Sequence, residues 1–343
     1  MLRRACVALL CLLLVPALGG RAWAAVPSDP PRQGPYLASI SYETWKDSRR
    51  AGREVPVKLY RPQGAPGPWP VVIISHGLGD SRDSLGYLAR FLCSHGYYVA
   101  AMQHYGSDMS LGEDTNRLVA AWRLWRAARE PRNYLLRAGD LAFVLQQLSQ
   151  REHQRGPCKN NIDLNNVAMM GHSMGALTTL LAVGQLFATD VGLRSLRDPV
   201  PKAFIVFSPP VSQDHREFAR AYNSIGLPGL HVSGGQDEAR LGLTPAEERR
   251  VPFDHIILAD QYLLWLNDAD HRTPLGYPPG PDRPEREARY HQLILMACRG
   301  FLDAYLREDP AALTWIRGPK MFRAVNGDGA WETKRGRGSL QLK

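Results

Sequence analysis

Ser173, set in Gly171-His172-Ser173-Met174-Gly175, has the surroundings a hydroxyl needs to act as a nucleophile. An alcohol is a poor nucleophile at neutral pH. It needs exposure, a base within hydrogen-bond reach and donors for the oxyanion it creates. The two glycines leave room for a tight turn between an apolar run, Val167 to Met170, and a stretch of helical character, Ala176 to Phe187. A serine at such an elbow projects clear of the backbone, and the helix N-terminus aims N–H groups and its positive dipole end at it. Because G-x-S-x-G also occurs as an ordinary solvated turn, the other groups of the reaction must be found elsewhere in the chain.

Two positions fill those roles. Gly229 to Ser233 reads as a buried strand, and Asp237 follows it after Gly234-Gly235-Gln236. Gln261 to Leu266 reads as a further strand, and His271 follows it after Asn267-Asp268-Ala269-Asp270. Ser, Asp and His then stand in the chain order that a nucleophile elbow on a parallel sheet uses. His271 is the expected general base and Asp237 its orienting carboxylate. His255 precedes its strand, His291 lies on a helix from Ala288 to Leu306, and His172 is expected to point away from the serine.

The oxyanion donors are sought at the end of Val71-Val72-Ile73-Ile74-Ser75, a continuous β-branched run of the kind buried on both faces of a sheet. The run ends in His76-Gly77-Leu78-Gly79, a loop at the carboxyl end of a central strand, where open α/β sheets place their ligands. The N–H groups of Leu78 and Met174 are the expected oxyanion hole, with His76 bordering the pocket. Tyr105, Trp122 and Trp125 are candidate contacts to an acyl or aromatic group, packing of an insertion being the alternative use of such side chains. Gly106 to Asn116 is polar and has the length of a cap.

Around these groups the chain alternates strand and helix, as a doubly wound, mostly parallel sheet with helices on both faces requires. Leu37 to Tyr42 and Val55 to Tyr60 read as an antiparallel opening pair. Ser84 to His95 has helical spacing, Tyr97 to Met102 is a buried strand, and Arg137 to Gln147 is an amphipathic helix. Ala203 to Ser208 adds another strand.

Residues 1–24 read as an export signal: a basic start at Arg3-Arg4, an apolar run from Ala5 to Leu18, and Ala22-Trp23-Ala24 before the expected cleavage. Pro16 and Gly19-Gly20 interrupt the run too early for a membrane span. The expected location is periplasmic or secreted. Residues 25–37 form an extended, Pro-rich lead-in, 38–310 the catalytic domain, and 311–343 a tail to which the sequence assigns no role. Cys93, Cys158 and Cys298 remain after the signal, an odd number that permits at most one internal disulfide. The formal net charge of +9 includes Arg3, Arg4 and Arg21 of the signal. Its basic residues are scattered and lack the aromatic interleaving of a nucleic-acid surface. Attraction to anionic membrane surfaces is compatible with this charge but not indicated by it. No metal-ligand spacing is present, and no cofactor is expected.

Taken together, Ser75-His76-Gly77-Leu78-Gly79, Gly171-His172-Ser173-Met174-Gly175, Gly234-Gly235-Gln236-Asp237 and Asp270-His271 resemble the α/β-hydrolase pattern. SHGLGDSRDSLGYLARFLCSHGYYVAAMQHYGSD, with RAGDLAFVLQQL and GFLDAYL, resembles more narrowly the platelet-activating-factor acetylhydrolase and dienelactone-hydrolase-related branch, including its exported bacterial members. Dienelactone hydrolases carry cysteine at the elbow, and Ser173 departs from that. The resemblance implies a serine esterase acting through an acyl-enzyme on small or short-chain esters. The same triad also serves acyltransferases and polyester hydrolases, and a silent triad would leave an exported binding module.

Overall fold

The computed structural model describes residues 31–154, 156–189, 192–211, 218–238, 244–277 and 284–340; residues 1–24, expected to be an export signal, lie outside them. Its centre is a nine-stranded sheet of β1 (Leu37–Asp47), β2 (Arg53–Gln63), β3 (Trp69–Ser75), β4 (Tyr98–Met102), β5 (Ile162–His172), β8 (Pro201–Phe207), β9 (Gly229–Gln236), β10 (Gln261–Asp270) and β11 (Gly329–Lys334). The spatial order is β1-β2-β4-β3-β5-β8-β9-β10-β11. From β4 to β10 all neighbours run parallel, while β1, β2 and β11 pair antiparallel at the two edges. A small hairpin, β6 (Leu186–Thr189) with β7 (Gly192–Ser195), stands apart. This is the α/β-hydrolase fold.

The period of two along a strand decides which helix each residue meets. On β3, Val72 and Ile74 face a core with α1 (Gly86–Ser94), α7 (Pro284–Leu306) and α8 (Pro310–Arg317). Val71 and Ile73 face the opposite core, against α3 (Pro131–His153). Helix α4 (Met174–Val183) packs Ala176, Leu180 and Val183 on Phe204 and Val206 of β8. Tyr222 of α5 (Phe218–Tyr222) and Val251 of α6 (Val251–His255) extend that last cluster. Burial on both faces is why these strands read as unbroken apolar runs.

Three expectations need correction. The helix after the elbow stops at Val183 rather than Phe187, because Gly184 at φ 120° turns the chain and Leu186 begins β6. The expected cap, 106–116, supplies only a short turn. The cover over the sheet is instead α2 (Arg117–Arg129), started by Asn116, whose side chain accepts the Val119 N–H. The domain also continues past residue 310. Asp309 caps α8, α9 (Pro319–Val325) follows, and β11 completes the sheet beside β10, so β10 is not the last strand.

Candidate active site

Ser173 lies between β5 and α4 with φ 52° and ψ −119°, a conformation that costs a residue with a side chain about 1–3 kcal/mol. Its N–H is held by the Phe207 carbonyl at 2.9 Å. The flanking glycines are required by contact, since neither takes a left-handed φ. A Cβ at Gly171 would meet the Gly175 carbonyl oxygen at 2.1 Å, and one at Gly175 would meet the Ser75 carbonyl oxygen at 2.0 Å. The elbow is thereby pressed against the end of β3, and the loop after β3 comes to lie beside the serine.

The parallel strands bring the other two groups to the same end of the sheet. His271 Nε2 is 3.0 Å from Ser173 Oγ, and His271 Nδ1 is 2.7 Å from Asp237 Oδ1. The chain of bonds reads most simply with the Nδ1–H donated to the carboxylate and the Ser173 O–H donated to Nε2. That is the arrangement of a serine-hydrolase triad. Asp237 is fully buried, and Ser233 donates to its Oδ2 at 2.7 Å. Burial alone would raise its pKa, but the His271 hydrogen bond and the Arg249 charge prevail and hold it below the usual carboxylate range. The His271 loop is fixed by Asp270, whose Oδ1 accepts the N–H groups of Arg272 and Thr273, both at 2.8 Å.

His172 does not point away from this site. Its Nε2–H donates to the His271 carbonyl at 2.8 Å, and the two rings lie 4.8 Å apart. Burial, aided by the charge of His271, pushes the His172 pKa down to about 3, so the ring stays neutral and steadies the base without competing for its proton.

A second Ser-His-Asp chain exists. Ser75 Oγ is 2.9 Å from His104 Nε2, and His104 Nδ1 is 2.9 Å from Asp140 Oδ2. Its bond pattern is that of a triad, but Ser75, His104 and Asp140 have no exposed surface, and Asp140 also receives Arg50 and Arg53. A carboxylate so bound is a weak partner for an imidazolium, and a serine without exposed surface meets no substrate. Ser173, with its strained elbow, opens on a cavity of about 670 Å³.

That cavity is lined by Leu78, Met174 and His271 on the sheet side and by Leu124 and Ala128 of α2 with Tyr134 of α3 above. Leu78 sits between Gly79, whose N–H goes to the Ser107 carbonyl, and Gly77, where a Cβ would stand 3.5 Å from the Ser173 Cβ. Met174 opens α4, where backbone N–H groups have no helical acceptor.

The expected pocket residues fare differently. His76 is buried below the loop, its Nε2 accepting the His104 backbone N–H at 2.9 Å. Tyr105 lines a separate shallow cavity with Arg50, Arg53 and Arg132. Trp122 and Trp125 lie on the outer face of α2, 56% and 47% exposed, under the guanidinium groups of Arg126 and Arg129. The helical period turns Leu124 and Ala128 inward and the tryptophans outward. Sequence reading misses Arg249: it lines the cavity and contacts Asp237, although its sequence setting, Glu247-Glu248-Arg249-Arg250, reads as a solvated charge run.

Comparison with known proteins finds the family described as "Platelet-activating factor acetylhydrolase, isoform II" matching residues 48–113, which include β3, the loop after it and β4. The platelet-activating factor acetylhydrolase of Cavia porcellus is 29% identical over 173 residues, covering 43% of this chain and 39% of that protein. That of Bos taurus is 29% identical over 160 residues, covering 38% and 36%. The matched region thus spans well under half the length of these relatives.

Proposed function

We propose that this protein, an α/β-hydrolase by fold, is a serine hydrolase that cleaves small carboxylic esters through an acyl-enzyme on Ser173. The observation that carries the reading is the unbroken chain Asp237–His271–Ser173 at the floor of a cavity. His271 takes the Ser173 proton as Oγ attacks the carbonyl, then returns it to the leaving alcohol, while Asp237 keeps the ring oriented and stabilises its cation. The N–H groups of Leu78 and Met174 hold the oxyanion. Water, activated by the same histidine, releases the acid.

A short acyl group suits a cavity roofed by Leu124, Ala128 and Tyr134, and the similar proteins are named for acetyl hydrolysis. Export to the periplasm or the medium is part of the same proposal, and the leader pattern of residues 1–24 supports it.

The test is hydrolysis of p-nitrophenyl esters from acetyl to dodecanoyl by the exported form, with Ser173→Ala and His271→Ala alongside. Turnover is expected to be greatest for the shortest acyl chains and to fall on the order of 10⁶-fold in each variant. Retention of the wild-type rate by folded Ser173→Ala would overturn the assignment. Turnover that rises with chain length would move the substrate to long-chain lipids.

A further inference from the structure

The buried cation under the site has no part in the triad. Arg137, on α3, has no exposed surface, and burial pulls its pKa down to about 9, which leaves it charged at neutral pH. Its guanidinium Nη1 donates to the His76 carbonyl at 2.8 Å, and its Nε donates to Ser107 Oγ at 2.9 Å. The Ser107 carbonyl in turn accepts the Gly79 N–H at 2.9 Å. One rigid fork therefore holds the chain on both sides of Leu78, directly at His76 and through Ser107 at Gly79. The neighbouring polar groups close the frame: the His104 N–H donates to His76 Nε2, and His104 is itself held by Asp140, one turn along α3 from Arg137.

We propose that Arg137 is a positioning residue for the oxyanion loop, and that the buried Ser75–His104–Asp140 chain is the frame that holds this loop rather than a second reaction centre. The proposal rests on the serine-hydrolase reading of Ser173. Keeping a cation in a fully buried place is costly unless its donors are used. Here two of its donors fix backbone and side-chain groups on either side of the residue expected to supply an oxyanion N–H. Lysine carries the charge but not the fork, and so spans only one of the two acceptors. A displacement of about 1 Å at such a donor costs on the order of 100-fold in rate.

The experiment measures kcat and KM for p-nitrophenyl acetate, and the affinity of a trifluoromethyl ketone whose serine adduct carries the oxyanion. Arg137→Met, Arg137→Lys and Ser107→Ala are compared with wild type and Ser173→Ala, each after its thermal midpoint shows it folded. Arg137→Met is expected to lower kcat on the order of 100-fold with KM nearly unchanged, and to weaken the ketone in the same proportion. Arg137→Lys is expected to recover part of both losses. Ser107→Ala, the mildest change, is expected to cost about 5-fold in both and decides the matter if Arg137→Met does not fold. Wild-type kcat and ketone affinity in folded Arg137→Met, or in Ser107→Ala where the former is unfolded, overturn the positioning role while leaving the esterase intact. An inert wild type overturns both readings. Ester turnover with labelling of Ser75 by a fluorophosphonate in Ser173→Ala would overturn the frame.

Discussion

One oxygen of Asp237 meets two donors. Oδ1 takes the His271 Nδ1–H at 2.7 Å and lies 3.2 Å from Arg249 Nε, while Arg249 also donates to the carbonyls of Ser208 and Asp237, both at 2.9 Å. Arg249 thereby fixes the buried Asp237 carboxylate and helps hold it ionised. Arg249→Met, which takes the fixed cation from the buried Asp237, is expected to cost about 3–5 kcal/mol of unfolding free energy, read from the denaturant midpoint. A loss under about 1 kcal/mol would reject Arg249 as the partner that holds this carboxylate. Arg249 also marks the limit of sequence reading at this scale. Ser173, Asp237 and His271 are legible because each closes or follows a strand in a fixed order. Arg249 sits on a 3-10 helix of five residues, Ala246–Arg250, too short to give a periodic signal, and His172 is illegible because its partner is a carbonyl 99 residues away.

Elements are legible where both faces of a strand are buried, and less so where a single edge decides. β3, β4, β8 and β9 stand within a few residues of the apolar runs that announce them. β11 has no apolar run in its sequence, Gly-Ala-Trp-Glu-Thr-Lys, and becomes a strand because β10 offers it an open row of hydrogen bonds. Trp331 anchors it: the ring stacks on Tyr262 at 5.7 Å, and its Nε1–H donates to the Ile316 carbonyl at 2.8 Å. Trp331→Ala is expected to cost about 3–5 kcal/mol of unfolding free energy, read from the denaturant midpoint at constant slope. A loss under about 1 kcal/mol would mean that the edge strand is dispensable, as a tail of no structural role would be.

Across the whole molecule, buried neutral histidines set the response to acid. Burial pushes His95, His104 and His231 down to about 4 and His172 to about 3. Their folded pKa values lie below the unfolded value of about 6.5, so the unfolded chain binds more protons between those limits. Their contribution is whole above about pH 6.5 and is lost as pH falls towards 4, at about 1.4 kcal/mol per unit for each group. Against a typical stability of about 5–15 kcal/mol, cooperative unfolding is expected between about pH 4 and 5, with uptake of several protons. Tryptophan emission across a pH titration checks it; a native spectrum at pH 3 would show that these rings reach solvent before the fold opens.

The C-terminal edge strand has a further consequence in time. A ribosome releases β10 and His271 well before β11, so the nascent chain carries all three triad residues while the edge of its sheet is still bare. At synthesis rates of about 5–20 residues per second that interval lasts several seconds, during which the open strand is available to any other unfinished chain nearby. Among the described strands the one made last, β11, ends this exposure, so translation stalled after His271 would yield the complete set of reacting groups on a chain prone to associate.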